Sequence, residues 1–142
     1  MKLSARNQLK GTITNVAEGA VNGVVSIDLG GIPITADITM TSIDELGLVE
    51  GKEAYAVIKA SNVMFAAGNE RIVGLSARNL LAGTIAKVTK GAVNGHVALK
   101  LADGNTITGS ITNAAIEELG LEEGKAALAI IKATDVMVGV EH

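Results

Sequence analysis

Along the first half of the chain the apolar residues fall in short, β-branched-rich runs separated by glycine-containing turns, a pattern of strands. Residues 9–16 alternate in part, placing Leu9, Gly11 and Ile13 on one side of an extended segment. Glu18-Gly19-Ala20 turns the chain, and a second strand runs over 21–29. Gly30-Gly31 is a hairpin signal, and the third strand, 32–39, carries Pro33 near its start, where a missing N–H matters least. Thr41-Ser42-Ile43-Asp44-Glu45-Leu46-Gly47 predicts a short helix, with a Thr or Ser cap before it, acids in its first turn and Gly47 as a left-handed end. Strands over 52–59 and 63–67 complete the set.

The pattern then returns. Leu3-Ser4-Ala5-Arg6-Asn7 recurs as Leu75-Ser76-Ala77-Arg78-Asn79, an offset of 72 residues. At that offset Gly11-Thr12-Ile13 matches Gly83-Thr84-Ile85, and Gly19-Ala20-Val21-Asn22-Gly23 matches Gly91-Ala92-Val93-Asn94-Gly95. A one-residue insertion near Ala102-Asp103-Gly104-Asn105, in a turn where length changes are tolerated, moves the offset to 73. Beyond it Leu46-Gly47-Leu48 matches Leu119-Gly120-Leu121, Glu50-Gly51-Lys52 matches Glu123-Gly124-Lys125, and Ile58-Lys59-Ala60 matches Ile131-Lys132-Ala133. The period is too long for a stacked solenoid unit, so each copy reads as a small domain, residues 1–70 and 71–142. Strands, one short helix, then strands fit an all-β chain of two tandem five-stranded barrels of oligonucleotide/oligosaccharide-binding type. A copy this small buries too little surface to be comfortably stable alone, so a homo-oligomer is expected.

Composition narrows the chemistry. With one Tyr (Tyr55), one Phe (Phe65) and no Trp, the core must be aliphatic. The absence of cysteine removes disulfides, thiolate metal sites and cysteine nucleophiles, and suits a reducing cytoplasm. No apolar run approaches the roughly 20 residues of a membrane span, and the first residues lack a signal peptide's apolar stretch. A net charge of −3 argues against a general binder of nucleic acid or anionic membrane, so any anion site must be built locally.

Catalysis has little to work with. His96 faces Val24 in the repeat, His142 follows Glu141 at the end of the sequence, and neither has a counterpart in the other copy. The acid pairs Asp44-Glu45, Glu117-Glu118 and Glu122-Glu123 lie beside helix starts and turns, where solvation and the helix dipole explain them. Neither copy carries a glycine-rich phosphate loop, and an enzyme is not expected. Anion-friendly donors, by contrast, recur. Ser4 and Arg6 stand two apart, on one face if that segment is extended, as do Ser76 and Arg78. Lys59 and Lys132 end apolar strands, and Thr39 and Thr112 end another strand with a free hydroxyl. A four-oxygen dianion is well matched by a forked guanidinium plus neutral donors.

In this order and spacing, twice, the motifs Ser-Ala-Arg-Asn, Gly-Ala-Val-Asn, Leu-Gly-Leu-x-x-Gly-Lys and Ile-Lys-Ala-x-x-Val resemble the Mop family of molybdate-binding domains, the molbindins. The likeness covers essentially the whole chain and is closest to the family's two-domain fused form. It implies a trimer of two-domain chains holding molybdate, or tungstate, between domains and subunits, with no other cofactor. The main site it implies uses Ser4, Arg6, Thr39, Ser42, Lys59 and Ala60, and in the second copy Ser76, Arg78, Thr112, Lys132 and Ala133. The Ser and Arg of one domain would meet the Thr and Lys of its partner. Ser42 is answered by Ala115, so the second version lacks one hydroxyl. A second kind of site, around a threefold axis, corresponds to Ala20, Val21 and Asn22 with Ala92, Val93 and Asn94, served by backbone N–H groups.

The function this implies is a cytoplasmic store or buffer of the oxyanion. A nucleic-acid-binding barrel needs stacking aromatics in a basic groove, which one Phe, one Tyr and a negative net charge do not supply. A structural assembly module with a decayed site would not need both Arg and both Lys.

Overall fold

The computed structural model describes residues 1–141, so the histidine at position 142 lies outside the described residues. The first copy forms β1 (Asn7–Ala17), β2 (Asn22–Asp28), β3 (Pro33–Thr39), α1 (Met40–Leu46), β4 (Glu53–Ile58) and β5 (Met64–Ala67). The second forms β6 (Asn79–Lys90), β7 (Asn94–Leu101), β8 (Thr106–Thr112), α2 (Asn113–Leu119), β9 (Ala126–Ile131) and β10 (Met137–Gly139). Single 3-10 turns, Ala60–Asn62 and Ala133–Asp135, precede β5 and β10. Strand alternation works as the pattern requires: Val25 and Ile27 of β2, like Val97 and Leu99 of β7, are wholly buried. A register shift between Ile13 and Asn15, repeated between Ile85 and Lys87, marks a bulge that bends each long first strand and helps its sheet curl.

The helices depart from expectation in two respects. Each starts one residue earlier, capped by Thr39 or Thr112, whose Oγ1 accepts from the amide of Ser42 or Ala115 at 3.1 Å. The first turn then contains no acid, because Asp44, Glu45, Glu117 and Glu118 fall further along. The expected dipole-complementing role at the helix start is therefore not available to them. The other end is as expected, with Gly47 (φ 60°) and Gly120 (φ 63°) left-handed. Lys52 adds to it by donating to the carbonyls of Leu46 (2.8 Å) and Gly47 (3.3 Å), which gives the Leu-Gly-Leu-x-x-Gly-Lys motif a structural role.

The sheets do not follow the sequence boundary. All pairs are antiparallel, in the orders β10-β4-β1-β2-β3 and β5-β9-β6-β7-β8. The copies exchange their last strands: β5 pairs with β9 (Phe65 opposite Ala129), and β10 with β4 (Val138 opposite Ala56). The division expected between residues 70 and 71 separates two repeats in the sequence, while each sheet is finished by a strand from across it. One hydrophobic core accordingly runs through both copies. Without its fellow, either copy would leave an apolar strand, β4 or β9, with an open edge.

Two further contacts fix the pairing. Asn7 and Asn79 are the buried polar residues of the described chain, 2% and 3% exposed. Asn7 donates to Thr108 O and accepts from Thr108 N, both at 2.8 Å, while Asn79 does the same to Thr35. Thr35 and Thr108 lie on β3 and β8, the outer strands of their sheets, so each amide pairs a stretch of edge backbone as a neighbouring strand would. Phe65, on the exchanged β5, lies directly over Gly109 of β8, where a Cβ would fall 2.8 Å from its Cζ and closer still to Cε2.

Candidate oxyanion site

Antiparallel register alone brings the repeated cationic donors of each copy together. Asn7 opposes Ile58 at the last rung between β1 and β4, so the next residues outward, Arg6 and Lys59, emerge side by side. Asn79 opposes Ile131 in the same way, placing Arg78 beside Lys132. The result is two hollows. The first, of about 390 Å³, is lined by Leu3, Ser4, Ala5, Arg6, Val57, Lys59, Ala60, Ser61 and Met137. The second, of about 280 Å³, is lined by Leu75, Ser76, Ala77, Arg78, Lys132, Ala133, Thr134 and Met64, with Asp37. Strand exchange supplies each hollow's methionine from the other copy.

Each hollow gathers two cations and a serine hydroxyl. Arg6, Arg78, Lys59 and Lys132 are exposed, and among the described residues none is engaged in an ion pair. The 3-10 turn after each lysine has no side-chain cap, so the first amides of the turn, at Ala60 and Ala133, remain as donors beside the ammonium. A guanidinium fork, an ammonium, a serine hydroxyl and backbone N–H groups thus line one hollow, a donor set of charge opposite to that of a small oxyanion. No group of three or more His, Asp and Glu among the described residues could hold a metal cation. His96 is a half-buried residue of β7 outside both hollows.

Within one chain Lys59 lines the same hollow as the Ser4 and Arg6 of its own copy. The expectation of idle hydroxyls at the strand ends is corrected in part: Thr39 and Thr112 both accept as helix caps, and Thr39 also donates to Ser42 Oγ at 3.0 Å, whereas the Thr112 O–H has no such acceptor among the described residues. Thr39, Ser42 and Thr112 line neither hollow. The turns Ala20-Val21-Asn22 and Ala92-Val93-Asn94 stand elsewhere as projecting tips, with Val21 75% and Val93 72% exposed. Asn22 there donates its side-chain amide to Asp37 at 3.0 Å. The residues sequence reasoning passed over are Asn7, Asn79, Met64, Met137 and Asp37. Repetition of the asparagine was a usable signal for the first two, whereas Asp37, answered by Ser110, gave none.

Comparison with known proteins follows the same lines. The model of the TOBE domain matches twice, at residues 3–65 and 75–138. The molybdenum-pterin-binding protein MopA of Rhodobacter capsulatus is 43% identical over 141 residues, 99% of this chain and 53% of its own length. The molybdenum transport protein ModE of Herbaspirillum seropedicae is 41% identical over 143 residues, 100% of this chain and 53% of its own. The chain thus spans about half the length of these curated relatives. A crystal structure of the cytoplasmic molybdate-binding protein ModG, with molybdate bound, superposes with a TM-score of 0.93 at 46% identity, covering 99% of this chain and 100% of that one.

Proposed function

Because this chain belongs to the TOBE-domain family, carrying the domain twice, we propose that it binds molybdate reversibly and serves as a cytoplasmic store or buffer of that oxyanion. The observation that carries the reading is the pair of matched hollows, each with a guanidinium, an ammonium and a hydroxyl beside an uncapped 3-10 turn. Binding makes and breaks no covalent bond. Tungstate, of the same charge and shape, is the natural second ligand.

In this reading Ser4, Arg6, Lys59 and Ala60, with Ser76, Arg78, Lys132 and Ala133, form the inner face of each site. Thr39, Ser42 and Thr112 stand apart within one chain and complete the shell from a neighbouring subunit. That requirement, with the exposed Val21, Val49 and Val93, supports a homotrimer. Ala20, Val21 and Asn22, with Ala92, Val93 and Asn94, form the second kind of site around its axis. Among the described residues no helix is long and apolar enough to cross a membrane.

Calorimetric titration with molybdate, tungstate and sulfate tests the reading, with light scattering for mass. Arg6→Ala removes a charge-assisted donor and should cost about 1.5–3 kcal/mol, ten- to a hundredfold in affinity. Arg71→Ala, outside both hollows, should change little. No heat with molybdate or tungstate, or equal losses from both variants, refutes a defined site.

A further inference from the structure

The two hollows carry the same cations and the same leading serine at positions that the repeat relates, with Ser61 answered by Thr134 and Val57 lining only the first, and they differ in one charged residue. Ser4, Arg6 and Lys59 are answered by Ser76, Arg78 and Lys132, but only the second hollow also has a carboxylate, that of Asp37. The cause is topological. β3 of the first copy lies against the turn Ala133–Asp135 of the second, which carries Asp37 to the side of Lys132. β8 lies against the turn Ala60–Asn62 in the mirrored arrangement, and there the residue equivalent to Asp37 is Ser110.

Asp37 is half-buried and fixed in place, its Oδ1 accepting from Asn22 Nδ2 at 3.0 Å. It makes no ion pair with Arg78 or Lys132 among the described residues. A fixed carboxylate here does two things to an arriving dianion: it repels the anion directly, and it offsets part of the positive potential of the two cations.

We infer that Asp37 is an affinity-setting residue that makes the second hollow the weaker of two graded oxyanion sites. The inference rests on the oxyanion-binding reading above. In a water-like dielectric a unit charge beside a bound dianion, its effect reduced by distance and salt, is expected to weaken binding about five- to tenfold. One chain then takes up anion over a wider concentration range than two equal sites would. Asn22, which holds Asp37, belongs to one of the projecting turns, so that turn and the second hollow share a hydrogen bond that has no counterpart between Asn94 and Ser110 among the described residues.

The test is calorimetric titration of the whole protein with sodium molybdate at fixed ionic strength, using wild type, Asp37→Asn and Ser110→Asp. Asparagine keeps the acceptor for Asn22 and removes only the charge. Apart from binding at the projecting turns, the two hollows are expected to give two classes of site in the wild type. Asp37→Asn should tighten the weaker class five- to tenfold and leave the stronger one unchanged, while Ser110→Asp should weaken the stronger class by a similar factor. The Asp37→Asn effect should shrink with added salt, as a loss of packing would not. A single class in the wild type, equal tightening of both classes, or no change in Asp37→Asn would each overturn the inference while leaving molybdate binding standing. A wild type that binds no molybdate overturns the functional reading itself.

Discussion

Replacing Asn7 by alanine removes three hydrogen bonds at a single buried side chain. Nδ2 donates to Thr108 O (2.8 Å) and Ile58 O (3.1 Å), and Oδ1 accepts from Thr108 N (2.8 Å). At about 1 kcal/mol net per bond, Asn7→Ala should destabilise by about 3 kcal/mol, with the unpaired Thr108 groups pushing upward and water at this half-buried strand pulling back. Asn79 makes two such bonds, both to Thr35, so Asn79→Ala should cost about 2 kcal/mol by the same measure. Asn7→Asp is a sharper case. The carboxylate still accepts from Thr108 N but faces the Thr108 and Ile58 carbonyls with no proton to give, and should be worse than alanine. Urea unfolding at one protein concentration gives the free energies, because association would otherwise shift them. Amide exchange at Thr108 reads the bond itself. The amide-clamp argument is refuted if Asn7→Ala loses under about 1 kcal/mol and Thr108 exchange is unaltered.

Gly109→Ala should destabilise by about 1–3 kcal/mol, since the new methyl overlaps the Phe65 ring. Adding Phe65→Val, which installs the first barrel's combination of Ala36 and Val138, should recover much of that loss in thermal unfolding; simple additivity of the two changes would rule out the contact. Glu141 is held below its ordinary value of 4.5 by the Tyr55 hydroxyl and then by the Met1 ammonium, 3.3 Å away. A depressed carboxyl stabilises above the unfolded value and loses that contribution as pH falls through the folded one. Glu141→Gln should therefore be slightly less stable than wild type at neutral pH and equal to it in acid, as melting curves across that range would show.

Much of the local structure was legible because it is set by neighbours in sequence. The runs around Val25 and Ile27 needed only alternation, Gly30-Gly31 only turn chemistry, and Gly47 only the left-handed end of a helix. The donors Ser4, Arg6 and Lys59 were legible for a related reason: two copies of one chain act as a control on each other, so Arg6 and Arg78 stand out where surface positions between them have drifted. The helix acids misled, since a boundary shift of one residue to Thr39 moved them out of the first turn and turned a free hydroxyl into a cap.

What the sequence by itself determined is the repeat, the strand order within each copy and the donor set for an oxyanion. Each follows from period, turn residues or residue type, all local quantities. Which strand closes which barrel was decided only in three dimensions. Met64–Ala67 and Met137–Gly139 are equally able to pair with β4 or β9 as backbone, and hydrogen bonding along a strand edge carries no label of origin. The choice lies in packing across the copies, with the Phe65 ring over Gly109 and the Asn7 and Asn79 amides on the opposite edge strands. The same exchange settled the two hollows. It put Met64 and Met137 into each other's hollows and laid β3 beside Lys132, so Asp37 came to line a hollow with a lysine 95 residues away, a distance along the chain that no local pattern spans.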